Sequence, residues 1–170
     1  MGKYTFKPYS SKFKELYLKE KSKLKKILPT NTKIEHVGST AVPGLGGKGI
    51  IDISILSPKK NLKRYMQSLE KEGFEYKPHP GDDKRKFMQK IIKYKEKERR
   101  VHIHLCLTKE FWNSFIAFRD YLRENNVARD EYAKIKREGA KCAKGDGKKY
   151  SEYKMDFLKK LAKEAIKKTK

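Results

Sequence analysis

Two stretches of this chain hold residue types able to do chemistry. In "IEHVGSTAVPGLGGKGIIDISIL", residues 34–56, a Gly38-Ser39-Thr40 turn follows one apolar run and a lone carboxylate, Asp52, interrupts the next. In "RRVHIHLCL", strand alternation sets His102, His104 and Cys106 on one face and Val101, Ile103, Leu105 and Leu107 on the other. A Gly-rich segment first suggests a nucleoside-triphosphate loop, but the Walker pattern needs GxxxxGK[ST], and here Lys48 is followed by Gly49 and an apolar strand. What survives is a Gly-Ser turn at the start of a short helix, where backbone N–H groups and the Ser39 hydroxyl are placed to take phosphate oxygens. A bulky residue at Gly38 would obstruct that approach. Asp52 and Ser54 share a strand face, and a carboxylate beside a phosphate turn is a candidate Mg²⁺ ligand; the alternative is a structural Asp52 that ties down the loop.

Elements must position these groups. "SKFKELYLKEKSKLKKIL", residues 11–28, places Phe13, Leu16, Tyr17, Leu24, Ile27 and Leu28 on one helical stripe with lysines opposite. Pro29 and Asn31 close that helix, and "KIEHV" reads as a strand running into the Gly-Ser turn. After a brief helical turn and loop over 41–49, "IIDISIL" reads as a strand and "NLKRYMQSLEKEGF" as a helix with Leu62, Tyr65, Met66 and Leu69 inward and Gly73 as its stop. Strands follow near 74–77, 86–94 and 100–107, with "KPHPGDDK" as a turn in which the Asp82-Asp83 pair reads as solvated. From Lys109 on the pattern is helical in three segments. The order predicts one domain of α+β class, a mixed β-sheet with an N-terminal helix and a C-terminal helical layer.

The totals fit that reading. The chain has 170 residues, 19 aromatics and a net charge of +23, with 36 Lys against 8 Arg. Residues 1–30 carry nine Lys against two acids and residues 141–170 eleven against four, whereas 108–140 are nearly balanced at seven to six. Such a field gathers phosphates of any kind, free nucleotides or RNA backbone alike, and the scarcity of Arg argues against bidentate base reading. A solvated, heat-adapted surface explains the same lysines equally well. No apolar run is long enough to cross a bilayer, so a soluble cytoplasmic protein with reduced, buried thiols at Cys106 and Cys142 is expected.

Gly38-Ser39, twelve residues, then Asp52-Ile53-Ser54-Ile55 resembles the hG[GS]…DhDh signature of the DNA polymerase β-like nucleotidyltransferases. More closely, residues 34–55 are similar to the GrpB family of that superfamily, an uncharacterised family, and "RRVHIHLCL", "FWNSFIAFRDYLRENNVARDEYAKIK" and "YSEYKMDF" resemble its later blocks. The resemblance implies a nucleotidyltransferase-like sheet on which three carboxylates hold two metals. Here Asp52 matches the first, Ser54 stands at the second, and the third falls in "VHIHL", where no acid stands. The resemblance also sets that strand beside the Asp52 strand, so His104 approaches Asp52. With His36 before the turn, the three histidines and Asp52 form a cluster read as a transition-metal site (Asp52, His102, His104), as acid–base or phosphate contacts, or as a polar sheet face.

Lys48 and Arg85 match basic positions of the family's blocks and are candidates to neutralise a triphosphate or a CoA-type phosphate. Arg119 and Arg123 reach either a phosphate or the neighbouring Asp120 and Glu124, and Lys154 is a candidate to point from its helix toward the sheet. Some relatives adjoin dephospho-CoA kinase domains, which implies a CoA-related ligand. The expectation is therefore a nucleotidyltransferase-like protein that binds a nucleotide or CoA-like phosphate with Mg²⁺ or Mn²⁺, with Asp52 and His104 catalytic. The alternatives are a binding module without chemistry and a basic protein with non-specific RNA contact.

Overall fold

The computed structural model describes residues 6–78 and 83–168. Helix α1, Lys12–Ile27, forms because its apolar residues recur every third or fourth position, and Phe13, Leu16, Tyr17 and Leu24 are all buried. Strand β1, Ile34–Val37, leads through a single 3₁₀ turn, Ser39–Ala41, and a loop into β2, Ile51–Leu56. Helix α2, Leu62–Lys71, is followed by β3, Glu75–Tyr76, and by a long hairpin of β4, Arg85–Tyr94, and β5, Lys97–Cys106. Three helices complete the chain: α3, Lys109–Glu124, α4, Asn126–Ala143, and α5, Gly147–Lys168.

The sheet runs β1-β2-β5-β4-β3. β5 lies parallel to β2 and every other pair is antiparallel, giving the mixed sheet with a helical C-terminal layer that the sequence predicts. Its faces divide by the period of two. Ile51, Ile53, Ile55, Val101, Ile103 and Leu105 pack against α1 and α2 in the larger core. The other face carries Val37, Asp52 and the two β5 histidines. Beside it Val42 and Leu45 join Tyr121, Leu122, Tyr132 and Leu161 of α3 to α5 in a second core. The cleft lies where that helical layer stands off the sheet.

Two features depart from sequence expectation. Glu20 falls on the buried stripe of α1, where Lys90 pairs with it at 2.6 Å and also lies 3.5 Å from Glu72. Cys142 is exposed because its place on α4 faces solvent, whereas Cys106 is buried as expected. Asp82 lies outside the described residues, and its neighbour Asp83 is exposed. Among the described residues no helix is long and apolar enough to cross a membrane.

Candidate functional site

The parallel pairing of β2 with β5 builds the centre of the site. The register sets Asp52 beside His102 and Ser54 beside His104. From there the Asp52 Oδ1 atom lies 3.3 Å from His102 Nδ1 and 3.3 Å from His104 Nε2. Arg85, a donor only, faces His104 Nδ1, so the His104 proton sits on Nε2 and is donated to Asp52. Burial opposes charging of His104 and lowers its pKa from the ordinary value. Burial likewise opposes ionisation of Asp52, but the hydrogen bonds from His102 and His104 outweigh it and hold the carboxyl well below the usual range. His102 Nε2 is buried and has no hydrogen-bond partner among the described residues.

The Gly-Ser turn closes over this carboxylate. Gly38 has φ +70°, and a Cβ there would stand 2.5 Å from Asp52 Oδ2, so glycine is required both by the backbone and by the close approach. The 3₁₀ turn that follows is only three residues long, and the Ala41 and Val42 N–H groups already donate to Gly38 and Ser39 carbonyls. The Ser39 and Thr40 N–H groups stand at the start of the turn, ahead of these bonds, and the positive charge beside them comes from side chains.

Three lysines from three separate elements converge on the cavity, whose volume is about 240 Å³. Lys48 comes from the loop before β2, Lys136 from α4 and Lys154 from α5. The Lys48 and Lys154 ammonium groups lie 4.9 and 4.7 Å from the centre of the Tyr150 ring. Lys136 is only 4% exposed, lies 5.1 Å from the centre of the Tyr132 ring, and donates to the Gly46 carbonyl at 2.8 Å. Gly47 makes room for it, since a Cβ at Gly47 would be 2.5 Å from Lys136 Nζ and 2.7 Å from Ser39 Oγ. Burial pushes the Lys48 pKa down to about 8, Lys136 to about 7 and Lys154 to about 8.

The cavity thus brings together Gly38, Ser39, Lys48, Asp52, His102, His104 and Lys154 of the sequence-predicted residues. Others stand apart. His36 is on the opposite sheet face, stacked on Tyr17 at 4.5 Å, so it does not join the histidine cluster; strand alternation puts it out of phase with Val37 and Asp52. Burial lowers its pKa to about 4. Thr40 is a buried structural residue that donates to Ile50 O at 2.8 Å and lies 3.0 Å from His36 Nε2, on the side away from the cavity. Ser54 is fully buried against Cys106 Sγ at 3.3 Å. Arg85 reaches the site through His104 and does not line the cavity.

Arg119 does line the cavity, but its guanidinium is committed to Glu35 at 2.6 Å, Asp120 at 2.8 Å and the His36 carbonyl at 3.0 Å. Arg123 donates to the Ala41 carbonyl and to Asp120. Lys136 is the functional candidate that sequence reasoning missed. It stands in "YAKIKREG" among exposed cations, and only its place on the helix face that carries Tyr132, Ala133 and Gly139 marks it as inward.

As for a metal, the donor set does not suit the arrangement of three carboxylates that the superfamily resemblance implies. One carboxylate is present, its Oδ1 faces two imidazoles, and among the described residues no group of three His, Cys, Asp or Glu side chains is placed to hold an ion.

The fold and cavity define an α+β protein with a basic, partly buried cleft between a mixed sheet and a helical layer. The GrpB protein family model matches residues 3–164, and the chain belongs to that family. It is 31% identical to the conserved protein GrpB from Enterococcus faecalis, whose crystal structure superposes with a TM-score of 0.82 over 97% of this chain and 99% of that one. A UPF0157 protein of Halalkalibacterium halodurans is 30% identical over 95% of this chain and 82% of its own length. The glutamate-rich protein GrpB of Alkalihalophilus pseudofirmus is 29% identical over 96% of each.

Proposed function

We propose that the chain binds the phosphate end of a nucleotide or CoA-like ligand in the cleft, with Lys48, Lys136 and Lys154 as the cationic contacts and the Ser39 hydroxyl beside them. One observation carries this reading: three ammonium groups are gathered from three elements into one partly buried cavity that holds a single carboxylate. Desolvating cations costs stability, and an anion between them offsets that cost. Ser39 Oγ and Lys136 Nζ both approach the same face of Gly47, so a phosphate oxygen there meets a hydroxyl and an ammonium together.

A second reading, transfer chemistry at the same site, is favoured by the Asp52–His102 pair. Asp52 faces His102 Nδ1, the arrangement in which a carboxylate orients an imidazole, and because the Nε2 atom is buried this reading needs the ring to become accessible to a bound ligand. His104, with both nitrogens engaged, serves this role less well than His102.

Calorimetric titration with ATP, GTP, CTP, UTP and CoA, repeated on Ser39→Ala and Asp52→Asn, separates the two. The binding reading expects one ligand whose affinity falls in Ser39→Ala and changes little in Asp52→Asn, with no product formed. Transfer chemistry expects the same ligand to be turned over by the native chain and turnover to be abolished by Asp52→Asn. Failure of every ligand to bind at millimolar concentration would contradict both.

A further inference from the structure

We propose that the cleft neutralises its ligand with the chain's own lysines in place of a divalent cation, and that the ligand enters as a metal-free diphosphate or phosphomonoester anion. This rests on the phosphate reading of the cleft given above. In a two-metal site, carboxylates gather the cations and the cations gather the phosphates. Here the balance of charge is reversed, because Lys48, Lys136 and Lys154 line the cavity and Asp52 is the one carboxylate among its described lining residues.

Asp52 is engaged through Oδ1. Oδ1 lies 3.3 Å from each of the two β5 imidazoles, and Oδ2 packs under Gly38, where even a methyl group would stand 2.5 Å away. Asp52 is the one carboxylate that the described residues bring to the cavity, where a two-metal site would gather several, so Mg²⁺ would find few protein oxygens for a near-octahedral shell. The ammonium groups would repel a divalent ion from the same space and attract the phosphate that it would otherwise escort.

Charge and size then select the ligand. With the lysines protonated, and with the Arg119 charge taken up by Glu35 and Asp120, the lining keeps an excess of positive charge over Asp52, which suits a phosphomonoester or a diphosphate better than an unescorted triphosphate. A cavity of about 240 Å³ accommodates the phosphates and an adjoining sugar and leaves a base or a longer arm outside. The ligand class is thus a nucleoside diphosphate or a pyrophosphate-linked cofactor entering phosphate first.

The probe is ADP, titrated calorimetrically in EDTA and again in millimolar Mg²⁺, on the native chain, Lys136→Met and Lys154→Met, with thermal melts to check that each variant folds. The expected result is binding in EDTA at least as tight as in Mg²⁺, weakened about tenfold or more by either substitution. Binding of ADP that requires Mg²⁺ or Mn²⁺ and is lost in Asp52→Asn would overturn the metal-free proposal and leave the phosphate reading standing. No binding of ADP or inorganic pyrophosphate under either condition would overturn both. Lys154→Met covers the case in which Lys136→Met does not fold, since Lys154 is the less buried of the two.

Discussion

At the level of single residues, the chain buries Lys136, a residue type that is almost never fully buried unless paired. Among the described residues Lys136 donates one hydrogen bond, to Gly46 O, and meets the face of Tyr132; around it stand Lys154 of α5, Lys48 of the loop and Asp52 of β2. Burial, followed by repulsion from Lys154, brings its pKa down from 10.5 to about 7. The sign of the pH effect follows. Below about 7 both folded and unfolded chains carry the charge, and the burial penalty is fully present. Between about 7 and 10.5 the unfolded chain holds the extra proton, so stability rises with pH.

Lys136→Met removes that linkage. Near pH 7 it is expected to stabilise the ligand-free protein by about 1–2 kcal/mol, a rise in Tm of about 2–8 °C. It should also flatten the increase in Tm from pH 7 to 9.5. Melts across that pH range check both effects. A variant less stable than the native chain throughout would mean that Lys136 is a structural cation and not one held for a ligand.

At the scale of elements, what was legible followed from periodicity. Apolar spacing marks α1 and α2, and strand alternation sets Asp52 apart from Ile51 and Ile53 and His102 from Ile103. The parallel contact of β2 with β5 was not legible from spacing, because the two strands are separated by a helix and two other strands, and it entered only through the family resemblance. Likewise the phase of His36 against Asp52 depends on which face of β1 meets α1, a tertiary choice that places Tyr17 on the imidazole. Lys48, Lys136 and Lys154 come from a loop and two helices, and no local pattern announces that those three meet.

The β4–β5 turn was obscure for a chemical reason. Lys95 and Glu96 both have positive φ, 46° and 57°, at a two-residue turn built without the Asn-Gly pair such turns favour. Replacing Glu96 with glycine relieves the left-handed backbone and is expected to stabilise the chain by about 0.5–1 kcal/mol. Urea unfolding reads this as a raised midpoint with an unchanged slope. An unchanged or lowered midpoint would contradict the turn assigned here.

At the scale of the whole molecule, the proposed cleft binding and any attraction by the net charge of +23 would respond differently to salt. Lysines spread over the surface act through a screened field, whereas those in the cleft act at contact and out of bulk water. Non-specific binding of a short RNA, if the surface lysines support it, should fall by about a hundredfold or more between 50 and 200 mM salt. Binding of ADP should fall by less than about tenfold over the same range, because part of its stabilisation comes from short hydrogen bonds in the cleft. Filter binding and calorimetry over a salt series distinguish the two terms; equal salt slopes would mean that ADP binds the general field.

If phosphate sits among Lys48, Lys136 and Lys154 as proposed, a crystal structure of the protein grown with ADP and EDTA will show it. Phosphate oxygens are expected within hydrogen-bonding distance of at least two of the three ammonium groups and of Ser39 Oγ, with no cation between them and Asp52. Phosphates bound on the outer surface, or held in the cleft through a metal on Asp52, would contradict the proposal.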